Sequence, residues 1–466
     1  MGQLLAGVGR ADITPASGTP QGGWGAQTHQ RGLGADMPMY ATALALSDGN
    51  ETLAIADVDA IGFDGVWTAR ILDAISSTTG LAKDHIRFSC THTHSGPNTF
   101  RLGNISEGLD MVMSYLDSLP LRIAGAVYQA LQTMRPVRCA AAEGRSEINV
   151  NRRFRVPGGG MAVGRNWGGA ADPTVRVVRF DALDETPVAT IVHYACHGTT
   201  IAWQNKLFTP DYPGVCRQVV EREVGGTCLF LQGAAGNLTP RRGFTGDLRV
   251  YRWLGQRLGL AAAETALAIE TLPKRERYAG VLQSGAAIAL YDDEPLEPPA
   301  PELRMITRMV ELPLKQFDAP EKLEAEALAL HEEMERARRE GSEEELRAAT
   351  ARYTQANWRA GAAREFFGRK TAARQMQAIR VGGIALLSIE GEPFIEIGLR
   401  IAEASPFAHT LFSGYSNGGF GYIPTREAIE EGGYEVTQGS PFSGGAADAV
   451  VAEGLRLLHD LKEIDA

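Results

Sequence analysis

The sequence predicts an α/β fold, a mixed sheet flanked by helices, with a helical hairpin inserted in its last third. Three observations carry that prediction. Short β-type runs alternate with helix-like segments through residues 1–290, the composition turns abruptly to Glu, Ala, Arg and Leu over 319–369, and strand and helix patterns resume after 378. At 466 residues, with 44% hydrophobic and 22% charged side chains, the chain has globular usage and enough length for a sizeable core.

Taken in order, residues 41–46, 53–58, 174–180, 188–195 and 227–232 are apolar runs of strand length. Between and after them, 65–76, 119–134 and 212–224 read as helices, and the Ala- and Leu-rich stretch 248–272 as a long one. Glycine and proline cluster at 17–37 and 157–173, loops longer than ordinary connections and therefore candidates for function. Gly158-Gly159-Gly160 lacks a following Gly-Lys-Ser or a helix start, so it does not read as a phosphate cradle. The insertion 319–369 breaks near Gly341, and Ser342 with Glu345 forms a capping box that starts its second helix. Its charges most simply make a solvated face, with homo-oligomerisation or a lid over a site as the sharper uses. Two strands over 378–389, a helix over 394–403 and a closing helix over 446–462 complete the chain.

A formal charge of −10 leaves no basic field for a phosphate backbone, so nucleic acid is not an expected partner. No apolar run is long enough for a transmembrane segment and no leader pattern stands at the start, which points to a cytoplasmic protein. Five cysteines without a CxxC pair read as free thiols.

The chemistry concentrates where apolar runs end in histidine. His92 and His94 follow the run that starts at Ile86, in Thr91-His92-Thr93-His94-Ser95-Gly96-Pro97. On a strand, the i, i+2 spacing would put both imidazoles on one face, where both could bind a metal, or one could bind it while the other moves protons. A second pair, His193 and His197, ends the run 188–195. Two strands delivering histidine to one sheet edge is the arrangement expected of a metal site there. Zinc needs further ligands, and Glu392, in Glu390-Gly391-Glu392-Pro393 after the run 384–389, is the best-placed carboxylate.

Eight motifs in order then give the chain a family likeness. They are Gly7-Val8-Gly9-Arg10-Ala11-Asp12-Ile13-Thr14-Pro15, the Thr91–Pro97 segment, Asn149-Val150-Asn151-Arg152, Cys196-His197-Gly198, Asp211-Tyr212-Pro213-Gly214, Gly233-Ala234-Ala235-Gly236-Asn237-Leu238-Thr239-Pro240, Gly391-Glu392-Pro393-Phe394, and Gly414-Tyr415-Ser416-Asn417 leading to Tyr422. On these the chain resembles the neutral/alkaline (non-lysosomal) ceramidases, zinc amidohydrolases that split the amide of ceramide. The resemblance implies a single catalytic domain over 1–466 with the hairpin 319–369 inserted in it. It implies one Zn2+ per chain held by His92, His197, Glu392 and Tyr422, with His94 transferring protons and Arg152 beside the scissile carbonyl. The family's catalytic serine is Thr239 here and the aspartate before it is Asn237. The family's secretion signal and C-terminal immunoglobulin-like domain have no counterpart in the sequence.

The implied substrate is an N-acyl compound, with a small polar amide, lactam, ester or glycoside as the alternative for an altered site. A TIM-barrel amidohydrolase and a non-catalytic scaffold are further alternatives. The glycine-rich loops around Trp24 and Trp167 would wall the pocket. His29 is a candidate substrate contact, although a solvated loop histidine is its plainer reading.

Overall fold

The computed structural model describes residues 3–100, 102, 105–418 and 421–463. Eight strands form one mixed sheet in the order Thr227–Gln232, Pro187–Tyr194, Thr174–Ala182, Arg135–Arg145, Leu5–Asp12, Tyr40–Ser47, Thr52–Val58 and Ile86–Cys90. Its two halves join only where Leu5 and Ala6 pair with Pro136 and Arg135. That narrow seam lets the sheet fold over on itself, so Thr227–Gln232 at one edge packs against the three strands of the other.

Side-chain alternation fills both faces of the folded sheet. Leu229 and Leu231 point inward to meet Leu44, Leu46 and Ile55, whereas Cys228 and Phe230 point outward to the helices Asp211–Glu223 and Leu248–Leu267. The helices Gly65–Thr79 and Leu109–Gln132 cover the other outer face. A second sheet, Leu303–Pro313, Thr371–Val381, Ile384–Ile389 and His409–Ser413, closes the inner core and carries the helices Ile395–Ala404 and Ala446–Glu463 on its far side.

Several segments differ from the sequence reading. The helix expected from 119 starts at Leu109 and runs through Pro120, which is buried in its interior. Apolar residues on both sides of that proline, including Val112, Leu116 and Ile123, pack on the same core and carry the helix through it. The loop 157–173 contains a strand, Met161–Asn166. Lys274–Ser284 and Ala286–Pro295 form a long antiparallel arm, unread in the sequence because both of its faces lie in water and no core stripe marks it. The insertion is a pair of helices, Pro320–Glu340 and Glu343–Phe366, with the Ser342 capping box formed. All five cysteines are free. Among the described residues no helix is long and apolar enough to cross a membrane.

Candidate active site

Strand Ile86–Cys90 ends two residues before His92, and Pro187–Tyr194 ends three residues before His197. His92 and His94 therefore converge through a turn, not through strand alternation as the spacing suggested. His92 sits at φ 60°, a left-handed conformation costly for a side-chain-bearing residue. The two strand ends are drawn together by backbone bonds, His94 N–H donating to Gly198 O at 3.0 Å. Gly198 permits this approach, since a Cβ there would lie 2.5 Å from His92 O.

Gln232 completes the clamp. Its amide donates to Thr91 O at 3.1 Å and Cys196 O at 2.7 Å, tying the residue before each histidine to the neighbouring strand end. Nothing in the sequence marked this glutamine, because its role comes only from where three strands end.

The imidazoles are fixed in one tautomer. Nδ1 of His92, His94 and His197 donate to Ile61 O at 2.6 Å, Gly23 O at 2.8 Å and Ala235 O at 3.0 Å. Because a carbonyl only accepts, each Nδ1 carries the proton, so in the neutral ring Nε2 is the nitrogen with the lone pair. Those lone pairs face one another: His92 Nε2 is 3.0 Å from His197 Nε2 and 3.3 Å from His94 Nε2. Burial, then the charge of Arg152 and the neighbouring imidazoles, push His197 well below the usual histidine range, which keeps it in the neutral form that ligates.

Glu392 is delivered from the second sheet. It lies in a two-residue strand in parallel register with Tyr422, and its Oε2 stands 3.4 Å from His92 Nε2 and 3.6 Å from His197 Nε2. That oxygen is buried without a hydrogen-bond partner among the described residues. Three converging lone pairs and an orphan carboxylate oxygen repel one another in a dry site unless a cation lies between them. Tetrahedral zinc ligands bound at ~2.0–2.1 Å stand ~3.3–3.4 Å apart, close to these spacings. The residues thus fit a divalent ion. The spacing does not separate His94 from the other two histidines; all three lie in one group able to hold a metal.

The remaining sequence candidates occupy distinct positions. Tyr422 packs its ring on His197, inclined by 30° with centroids 6.4 Å apart, and burial followed by Glu392 raises its phenol well above the usual range. Arg152 lies 5.2 Å over the Tyr422 ring, its Nε donating to Glu435 Oε1 at 2.8 Å and its Nη2 buried with no described partner. Thr239 is fully buried and bonded to Thr199 Oγ1 at 3.2 Å. Asn237 serves the frame: its amide donates to Glu396 at 2.8 and 3.1 Å while its carbonyl caps Ile395 N–H at 2.8 Å. An aspartate there would instead face that carboxylate.

Trp24 packs against His94, with ring centroids 5.3 Å apart. Trp167 lies at the surface, 63% exposed under Arg241, and does not line the cleft beside Trp24. His29 is not a solvated loop residue. Its Nε2 bonds Gln21 Oε1 at 2.9 Å, and desolvation, then Lys206, lower its pKa to about 4. His193 supports the second sheet through Phe412 O at 2.8 Å, away from the cluster.

Two residues with no assigned role in the sequence belong to the site. The Tyr415 ring covers His92 at 4.3 Å and its hydroxyl lies 3.4 Å from His197 Nδ1. Glu435 is the buried anion that holds both Arg152 and Arg153. The signal for Tyr415 was its place in the Gly414–Asn417 motif; Glu435 had none.

Fold and cluster together define an α/β scaffold with a candidate metal centre at its strand ends. Residues 4–241 match the family model described as neutral/alkaline non-lysosomal ceramidase, N-terminal. The chain belongs to that family. It is 25% identical over 252 residues to neutral ceramidase B of Dictyostelium discoideum, covering 50% of this chain and 35% of that protein. Over 225 residues it is 24% identical to the neutral ceramidase of Oryza sativa subsp. japonica, covering 47% and 28%. The match thus spans about a third of these relatives. The crystal structure of neutral ceramidase from Pseudomonas aeruginosa has the same fold, with TM-score 0.69 at 18% identity, covering 100% of this chain and 75% of that one. A ceramidase complexed with C2 gives 0.67 at 18%, covering 100% and 76%.

Proposed function

We propose that the protein is a zinc-dependent hydrolase that cleaves an N-acyl amide, with one ion per chain held by His92, His197, Glu392 and Tyr422. The observation that carries this reading is the set of inward-facing Nε2 lone pairs beside the orphan Glu392 Oε2. An ion bound there would polarise the substrate carbonyl and bring the pKa of water towards neutrality. His94 Nε2 takes a proton from the attacking water and returns it to the leaving amine as the C–N bond breaks, yielding a carboxylate and an amine. Arg152 Nη2, a buried donor with no described partner, is available to the developing oxyanion, and Glu435 fixes its direction. Tyr415 buttresses His92. The role of Thr239 is to hold the strand end through Thr199 and to bond substrate when that hydroxyl turns.

Elemental analysis of wild type and His92→Ala, each assayed on a short N-acyl amide and on ceramide, tests the reading. About one zinc per chain in wild type, lost together with hydrolysis in the variant, is expected. Folded wild-type protein that takes up no zinc and hydrolyses neither substrate would sink it.

A further inference from the structure

The helical insertion is joined to the site from two directions. On one side Trp358 packs on Tyr434, which packs edge-on against Tyr422. On the other, the helices and the glycine-rich first loop border a cleft lined by Trp24, the residue lying against His94.

We propose that this cleft selects the substrate, and that it takes the amine portion of a small N-acyl compound ending in a carboxylate. This rests on the amide-hydrolase reading given above. Two of the residues lining the cleft each carry a buried polar atom with no partner among the described residues, the indole N–H of Trp24 and the hydroxyl of Thr354, a residue only 7% exposed. Both can donate, so both call for an acceptor from a ligand. Arg338 brings a guanidinium to the same wall, and among the described residues lining the cleft none is acidic. It pairs with Glu335, an i,i+3 neighbour on the same helix, both side chains half-buried, and a ligand carboxylate would compete with that glutamate for the guanidinium.

His29 adds no competing charge. Held to Gln21 and desolvated, it stays neutral above about pH 4. The cleft therefore presents donors and one positive group in an acidic protein.

A matched pair of amides tests this, N-acetyl-6-aminohexanoate and N-acetylhexylamine, with zinc-loaded wild type, Arg338→Gln and Thr354→Val. Wild type is expected to favour the carboxylate about tenfold or more in kcat/KM, the worth of one charge-assisted hydrogen bond. Arg338→Gln should raise KM for the carboxylate by about tenfold, keep kcat within about twofold, and leave the uncharged amide unaffected. Thr354→Val, of similar shape, should raise KM for the carboxylate with little change in unfolding midpoint. Equal wild-type constants for the two amides, or an Arg338→Gln effect that is the same on both, overturns the proposal.

Calorimetric titration of the full chain with N-acetyl-6-aminohexanoate separates the two readings. Binding that weakens about tenfold in Arg338→Gln, with neither amide hydrolysed, would remove the hydrolase and keep the cleft. Hydrolysis without discrimination and without Arg338-dependent binding would keep the hydrolase and remove the cleft.

Discussion

On the sheet side of the site the groups are held by buried bonds: three imidazoles each donate to a backbone carbonyl, Gln232 binds two strand ends, and Glu435 holds Arg152. On the hairpin side the two helices are joined by Arg352–Glu333, Arg359–Glu326 and Arg364–Glu324, all reaching into solvent, over small clusters built around residues such as Ala356 and Ala360. The first wall fixes atoms where a fraction of an ångström decides whether an ion is held. The second tolerates exchange of its surface groups. The two walls thus differ in how their polar groups are held, the first by buried bonds to backbone and carboxylate and the second by exposed ion pairs.

The sharpest break of that comparison is at Arg152. Arg152→Lys keeps a charge beside Glu435 but loses the planar fork, and kcat should fall by about 10²–10³-fold, as for loss of one oxyanion donor. Arg152→Met should in addition lower stability by about 3–5 kcal/mol in urea unfolding, because Glu435 would be left buried without one of its partners. A kcat unchanged in Arg152→Lys would place the residue in the frame alone.

Gln232→Leu tests the clamp. Zinc affinity, read by competition with a chelator, should drop about 10–100-fold, with activity recovered in excess zinc. Loss of fold without a separable loss of metal would show the glutamine to be core support only.

Next in size is the pH dependence of stability. Burial, partly offset by the Ser89 hydroxyl and Arg217, raises Asp57 from 3.8 to about 8. A carboxyl raised in this way keeps its proton in the folded chain after the unfolded chain has lost it. Its contribution is full below the ordinary carboxylate range and declines as pH climbs from about 4 to about 8. Asp57→Asn, which can still accept from Ser89, should remove that decline in urea midpoints taken across the window. A wild-type slope retained in the variant would point to another group.

The smallest effect belongs to the hairpin surface. Arg352→Ala should cost at most about 1 kcal/mol and leave kcat unchanged, as expected of an exposed ion pair.

Much of this was legible in the sequence, and for a physical reason. Histidines at the ends of apolar runs stand out because strand ends are where buried sheet meets solvent, so His92, His94 and His197 could be placed together before any contact was seen. The hairpin was visible in its composition and in the Ser342 capping box. What stayed hidden depends on tertiary juxtaposition. Gln232 and Glu435 are ordinary residues until three strand ends or two arginines meet them. The left-handed turn at His92 cannot be told from a continuing strand by spacing alone. His29 read as a loop residue because burial against the first loop leaves no pattern in sequence, and Trp167 read as a wall because its loop is in part a strand facing outward.

The opening motif has a consequence of another kind. A Cβ on Gly7 would lie 2.2 Å from Ala130 O and one on Gly9 2.0 Å from Ala126 O, so the first strand and the helix Leu109–Gln132 touch backbone to backbone. Arg10 reaches Glu221 at 3.1 Å, and Asp12 caps Thr14 N–H at 2.8 Å. The partners of these groups are residues of the frame. Kinship detected through this segment is inheritance of a chassis, and a descendant that exchanged its reaction for another, or lost it, would keep the same opening words.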